Sequence, residues 1–290
     1  MSIRIVTDSS CDLGIEFIKE NNIELMPLLV NIDGEAIKDD LGQTLGYKEF
    51  YNKLRNGSLP TTSQVNIYEF EEKFKELIQE GYEVLYIGLS SALSGTFNSA
   101  NIARSNILEE NPEAKISVVD SKSVSMGVGM LIKSASNMVK EGKSLKEIEE
   151  WLEVNKERVI HAILVDDLQH LKRGGRVSAS TAAVGSLLNI KPVLSVDSNG
   201  AVAAIGKVKG KKKALKYLVS IAKENAVDIE NEVLYIMHGD AIEEAEALKE
   251  MILEELNFKE VKIQYIGTVI GTHGGPGAIA TVFFADKRLD

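Results

Sequence analysis

A single cysteine, Cys11, excludes an intrachain disulfide and fits a reducing cytoplasm. No stretch approaches the roughly 18 apolar residues of a membrane span, and the start, Met-Ser-Ile-Arg-Ile-Val-Thr-Asp, lacks the apolar core of a signal peptide. Basic residues are in the minority, 33 Lys and Arg against 43 Asp and Glu. The resulting net charge of −10 argues against nucleic-acid binding, which needs a basic face. No His-x-x-x-His, cysteine pair or dense carboxylate cluster stands at ligand spacing, so neither a metal nor another cofactor is expected. Asp166-Asp167 could attract a cation, with a solvated turn as the alternative. No serine is flanked by glycines as in a nucleophile elbow, and no Gly-Lys-Ser/Thr closes a phosphate loop. Internal repeats and low-complexity linkers are missing as well.

What is present is a soluble α/β pattern long enough for two domains. Short apolar runs at 3–6, 84–87 and 116–119 alternate with helical spacing at 68–80, 97–107 and 124–140. That alternation predicts parallel βαβ units in a three-layer α/β/α domain over residues 1–157. Strand-like runs at 162–165, 193–196, 201–205, 233–237, 261–266 and 279–285 follow. Asp197-Ser198-Asn199-Gly200 marks a hairpin between two of them, which predicts a mixed sheet over residues 158–290. An aliphatic helix is expected at 182–188.

Polar stretches interrupt this pattern at strand ends. Ser90, Ser91, Ser94 and Thr96 surround Gly95 between a strand and a helix. Free N–H groups and the helix dipole make such a turn suited to a carboxylate or phosphate, while Ser94 as a plain helix N-cap is the alternative. A second hydroxyl cluster, Thr61-Thr62-Ser63-Gln64, follows Pro60. In the second half, residues 271–277 hold four glycines and a proline around His273. This reads as a loop that lets backbone and imidazole approach a ligand, or as a surface turn with an incidental histidine. His161 and His238 sit at strand ends as structural residues, and His170 has no evident partner. Six lysines between 207 and 216 form either a solvated helix start or a docking surface for an acidic or phosphate-bearing partner.

Thr7-Asp8-Ser9, Pro60-Thr61-Thr62-Ser63-Gln64, Ser91-Ala92-Leu93-Ser94-Gly95-Thr96, Val119-Asp120-Ser121, Gly174-Gly175-Arg176-Val177, Ile190-Lys191-Pro192 and His273-Gly274-Gly275-Pro276-Gly277 together resemble the DegV family of bacterial fatty-acid-binding proteins. They run in the family's order along nearly the whole chain. The resemblance implies two α/β domains with a long-chain fatty acid between them, its carboxylate offered to the catalytic subunit of a fatty acid kinase for phosphorylation. It places Thr62, Ser63, Ser94, Gly95, His273 and Gly274 at the carboxylate. Arg173, Arg176 and Lys209 are the implied partner-docking positions, Lys209 standing where members often carry an arginine. It implies a cytoplasmic, non-enzymatic carrier, and leaves room for transient contact with a membrane surface. The residues themselves keep a second reading open, a stand-alone acyl hydrolase or transferase with Ser94 as nucleophile and His273 as base. For a carrier, each buried CH₂ contributes about 0.8 kcal/mol, so a tail of about sixteen carbons offers on the order of 10 kcal/mol before ordering losses. The 182–188 helix is a candidate wall for that tail.

Overall fold

Short apolar runs bounded by turn residues become the strands. In the computed structural model, which describes residues 2–177 and 190–289, the first half runs β1 (Ile3–Asp8), α1 (Ile15–Glu20), β2 (Glu24–Met26), β3 (Leu29–Ile32), β4 (Glu35–Lys38), α2 (Tyr47–Arg55), β5 (Thr61–Ser63), α3 (Ile67–Gln79), β6 (Glu83–Gly88), α4 (Thr96–Glu110), β7 (Ile116–Asp120), α5 (Met126–Lys140) and α6 (Leu145–Asn155). The helix expected at 182–188 lies outside the described residues.

Strands β2-β1-β6-β7 form an all-parallel sheet. Every residue of β6 is buried, as a central parallel strand covered on both faces requires. Phe70 and Phe74 of α3 and Ala100 and Ala103 of α4 pack on one face with Val84 and Tyr86. Leu131 and Ile132 of α5 and Ile148 and Leu152 of α6 pack on the other with Leu85 and Ile87. This is the three-layer arrangement the alternation predicts. Helix α3 begins at a capping box, with Asn66 Oδ1 accepting from Glu69 N at 3.0 Å and Glu69 Oε2 accepting from Asn66 N at 3.1 Å.

A small antiparallel sheet, β4-β3-β5, was not legible in the pattern. The extended reading across 23–32 merges β2 and β3, which belong to different sheets on either side of Pro27. The hydroxyl cluster at 61–63 forms β5, a strand of three polar residues with no apolar alternation to betray it.

The second half runs β8 (Val159–Leu164), α7 (Gln169–Arg173), β9 (Ile190–Val196), β10 (Val202–Lys209), α8 (Lys211–Asn225), β11 (Val233–His238), α9 (Ile242–Glu255), β12 (Glu260–Tyr265), α10 (Thr268–Gly274) and β13 (Ile279–Phe284). Its sheet is mixed, in the order β10-β9-β8-β13-β11-β12, and only β11 and β12 pair in parallel. The hairpin closes with Asp197 N donating to Ala201 O at 2.9 Å. Helices α8 and α9 cover one face with Leu218, Ala222, Leu248 and Ile252. The other face, carrying Leu194, Met237 and Val282, shares one continuous core with α5 and the first sheet.

Of residues 271–277, the first four close helix α10, and only 275–277 form the turn their glycines suggest. Gly271 lies within α10, where a Cβ would stand 2.5 Å from Tyr51 Oη and 2.9 Å from a ring carbon of Phe50. Its glycine is therefore a packing requirement. The chain leaves the helix through Gly275 at φ 75° and Gly277 at φ 81°, the left-handed region that follows many helix ends.

Three contacts tie α2 and the first turn to the second half. Tyr51 Oη donates to Ile266 O at 2.9 Å, Gly267 N donates to Asp12 Oδ1 at 3.0 Å, and Arg55 pairs with the Asp240 carboxylate while also donating to Asp240 O at 2.9 Å. Tyr51 is fully buried. Removing its hydroxyl in Tyr51→Phe takes this donor from a buried carbonyl and should destabilise the protein by about 1–3 kcal/mol. Urea unfolding measures the loss, and amide exchange should quicken in α10 well before β1. An unchanged midpoint would show that this bond does not hold the two halves together.

Candidate functional site

A cavity of about 180 Å³ lies between the two sheets. One water needs roughly 10–15 Å³ on this scale, so there is room for about a dozen or more water- or methylene-sized groups. Its long wall comes from strand alternation. His161, Ile163 and Val165 point from β8 and its continuation, and Ala278, Ala280 and Val282 from β13 and the residue before it. Leu89, Leu93, Val124 and Ile270 face them from the other side. The lining is polar at one end, where Thr62, Ser94, Arg176 and His273 are half-buried and Gln64 is exposed. Inward it is almost entirely aliphatic.

The polar end draws on elements far apart in the chain. Thr62 reaches in from β5, and its Oγ1 lies 3.0 Å from His273 Nε2 on the last turn of α10. Ser94 precedes α4. Its Oγ lies 2.9 Å from Thr96 Oγ1 and accepts from Thr96 N at 3.3 Å, so Ser94 bonds the first helical residue, one position before the Gly95 N-cap, and lines the cavity at once. Arg176 Nε donates to Leu93 O at 3.0 Å and its Nη1 donates to Gly174 O. His273 is neutral at pH 7, its pKa lowered to about 4 by burial and, secondarily, by the Arg176 and His170 charges. The arrangement offers hydroxyls, a neutral imidazole and one fixed guanidinium, a set that accepts an anion without needing a proton change.

The remaining residues of the site motifs are scaffold. Asp8 is fully buried, and its Oδ2 accepts from Tyr86 Oη at 2.7 Å and Leu89 N at 3.0 Å, while Oδ1 accepts from Ser10 N at 3.0 Å. Asp120 accepts from Ser91 N at 3.2 Å and Ser91 Oγ at 2.5 Å, and Ser90 Oγ donates to Gly200 O at 2.8 Å. The two aspartates pin the start of the serine turn, at Leu89 and Ser91, from which the chain leads on to Ser94.

Several expected site residues sit elsewhere. Ser63 alternates away from Thr62 and accepts from Asn31 Nδ2 at 3.1 Å. Gly95 is outside the lining, and a Cβ there would stand 2.2 Å from Gln64 Oε1. Arg176, expected at a docking surface, is instead drawn into the cavity wall by its bonds to Leu93 and Gly174. Arg173 and Lys209 are exposed, and Gly274 lines the cavity. Asp166 and Asp167 hold no cation-like geometry, since Asp166 pairs with Lys191 at 3.0 Å and Asp167 accepts from Gln169 N at 2.8 Å. Among the described residues, no group of three potential ligands is placed to hold a metal ion. His238 accepts from Ala241 N at 3.1 Å, a satisfied structural residue as expected. His161 and Ser125, both in the wall, were not singled out as site residues. Period-two spacing from Val165 through Ile163 to His161 was the signal available.

The pairing needed by a lone hydrolase does not form. His273 faces Thr62 while Ser94 bonds Thr96, and His273 Nδ1 has no hydrogen-bond partner to orient it.

A family profile described as an uncharacterised protein of the DegV family matches residues 2–286. A DegV domain-containing protein of Clostridium perfringens is 45% identical over 284 residues, covering 98% of each chain. Among solved structures, a DegV family protein from Thermus thermophilus described by its fatty acid binding superposes with a TM-score of 0.89 at 31% identity, over 98% of this chain and 100% of that one. A stearic acid-binding protein from Eubacterium ventriosum superposes with a TM-score of 0.85 at 26% identity, over 98% of both. No helix among the described residues is long and apolar enough to cross a membrane.

Gly174 holds the imidazole in place by lacking a side chain. A Cβ there would stand 2.1 Å from His273 Nδ1, although the backbone itself, at φ −71°, suits alanine. Gly174→Ala should therefore push the ring off Thr62 toward solvent, and the His273 pKa should climb from about 4 toward the free value of about 6.5. Histidine titration by NMR reads this directly, with Gly46→Ala as a control at a site whose Cβ meets nothing within 4 Å. A His273 titration unchanged in Gly174→Ala would mean the contact does not position the ring.

Proposed function

Because this chain belongs to the DegV family, we propose that it is a carrier that holds a long-chain fatty acid between its two halves. The carboxylate sits at Thr62, Ser94, His273 and Arg176, and the tail runs inward along β8 and β13. The observation that carries this reading is the gradient of the cavity, from a half-exposed polar mouth to an aliphatic interior. A carboxylate is costly to bury without hydrogen bonds, and the donors stand only where it remains partly solvated. The relatives from Thermus thermophilus and Eubacterium ventriosum, described as fatty-acid-binding and stearic acid-binding, support the ligand class.

The half-exposed mouth also suits presentation of the carboxylate to a partner. We assign that partner as a fatty acid kinase, which would phosphorylate the carboxylate while the tail stays enclosed. Lys172 and Arg173, both exposed on α7 beside the Gly174–Arg176 wall, supply a basic rim within an acidic protein, a setting that steers an acidic partner. Lys207 and Lys209 are exposed as well, at the end of β10. Ser94 and His273, bonded to Thr96 and Thr62 rather than to each other, favour this carrier over an enzyme acting alone.

Thr62→Val and Ser94→Ala should each weaken fatty-acid binding by about 1.5–3 kcal/mol, the worth of a hydrogen bond to a charged group. Calorimetric titration measures this, with the methyl ester of the same acid as control. The ester keeps the tail and loses the charge, so it should bind the wild type more weakly and be far less sensitive to either substitution. Equal binding of acid and ester would remove the carboxylate assignment.

Arg173→Glu should leave fatty-acid affinity unchanged and slow acyl-phosphate formation by a partner kinase, with the defect shrinking as salt rises. A rate equal to wild type at low salt would remove α7 from the docking surface.

A further inference from the structure

The inner wall of the cavity includes a histidine, one of whose ring nitrogens has no hydrogen-bond partner. His161 lies two residues beyond Ile163 and four beyond Val165 on the lining face, about 13 Å inward at a strand rise of roughly 3.3 Å per residue. Val165 and the facing Ala278 mark the mouth side, since a Cβ on Gly274 would stand 3.6 Å from Ala278 Cβ. The imidazole is 1% exposed. Its Nε2 lies 3.0 Å from Val124 O and 3.3 Å from Ser123 Oγ, and a carbonyl accepts only, so Nε2 carries the hydrogen. The Nε2 edge packs on α5 where Gly127 leaves room, a Cβ there standing 2.3 Å from Nε2. Nδ1 is then a bare acceptor, buried and without a hydrogen-bond partner.

Burial and the nearby Arg288 charge lower the His161 pKa to about 3, so this lone pair persists at physiological pH. An orphaned buried acceptor is costly, and phenylalanine or leucine would line a purely aliphatic wall at no such cost. The wall beside it carries a second anomaly. Ser125, also in the lining, is held at φ 54° with its hydroxyl on Asp12, and left-handed backbone at a non-glycine residue tends to mark a functional position.

Building on the fatty-acid reading above, we propose that the inner end of this cavity receives a hydroxyl borne by the outer part of the acyl chain, donated to His161 Nδ1. The ligand class is then a hydroxy fatty acid, with His161 as its specificity-determining residue. A hydroxyl elsewhere along the aliphatic stretch would be buried without a partner and disfavoured.

The test is competitive titration of the wild-type protein with stearic acid and with hydroxystearic acids whose hydroxyl is stepped along the chain. Hydroxyls in the aliphatic stretch should weaken binding about tenfold or more relative to stearic acid. One position in the outer half should recover affinity to within about threefold of stearic acid, or exceed it. In His161→Phe that recovery should vanish while stearic acid binds at least as well as before. A penalty with no recovered position in the wild type overturns the proposal, as does a recovery that survives in His161→Phe. Should His161→Phe fail to fold, the wild-type series decides alone. Stearic acid binding with a featureless series rejects only this inference, whereas failure of every acid to bind rejects the carrier reading together with it.

Discussion

The whole arrangement depends on helix α5 serving as a wall shared by two sheets. Protein interiors normally close on themselves because atoms lining a gap forgo dispersion contacts. Here the sheets are kept from closing by a helix that must approach both. Gly127 and Gly129 make that approach possible. At 3.6 residues per turn they point about 200° apart, and each faces a different half. A Cβ on Gly127 would strike His161 of the second sheet, and one on Gly129 would stand 2.9 Å from Cys11 O in the turn after β1. With Met126, Leu131 and Ile132 buried around them, α5 joins the two halves along its length and leaves the cavity beside it. The bonds from Tyr51, Asp12 and Arg55 close the seam elsewhere.

The titratable groups buried at the seam respond to acid in opposite ways. Besides Asp8, two carboxyls are buried near the first turn, Asp12 and Asp39. Burial pushes Asp39 up to about 6 and Asp12 well above the usual range. Because the folded pKa of Asp39 lies above its unfolded value, its contribution is largest in acid and is lost as pH rises through about 6. His273 runs the other way. Its folded pKa near 4 lies below the unfolded value, so its contribution is complete above about 6.5 and fades as pH falls toward 4. The two opposing limbs overlap between pH 4 and 6. Near neutrality the mouth therefore offers a neutral imidazole and Arg176.

The layers and the mixed sheet were readable because their cause is local. Apolar runs such as Val84–Ile87 carry the periodicity of the strand they form, and the Asp197–Gly200 turn announces its hairpin. Thr62, Ser94 and His273 were readable as polar residues where strands and helices end, and they line one cavity. What periodicity could not reveal depends on contacts distant in sequence. Strand β5 exists only because Leu29–Ile32 lies beside it. Gly271 reads as a loop residue until Tyr51, 220 positions earlier, supplies the reason for a missing side chain inside a helix. Arg176 reads as a surface charge until Leu93 O is seen to hold it. His161 had the spacing of its apolar neighbours and was read as a structural residue, since no pattern shows that one of its nitrogens lacks a partner.

On the proposed carrier reading, the division between mouth and interior assigns affinity and reactivity to different parts of the ligand. Aliphatic burial is non-directional and accumulates at about 0.8 kcal/mol per methylene, so the inner wall can retain a long tail without any single decisive contact. Hydrogen bonds at the mouth add less to affinity because they replace bonds to water. Their contribution is directional, since Thr62, His273 and Ser94 reach the mouth from three elements, β5, α10 and the turn before α4. A head group fixed in direction but only half removed from solvent stays within reach of a second protein while the tail remains enclosed. Deepening the mouth would protect the carboxylate and also hide it, and opening the interior would expose the tail and forfeit most of the affinity. The observed gradient avoids both, as the proposed carrier, whose cargo would be modified without being released, requires.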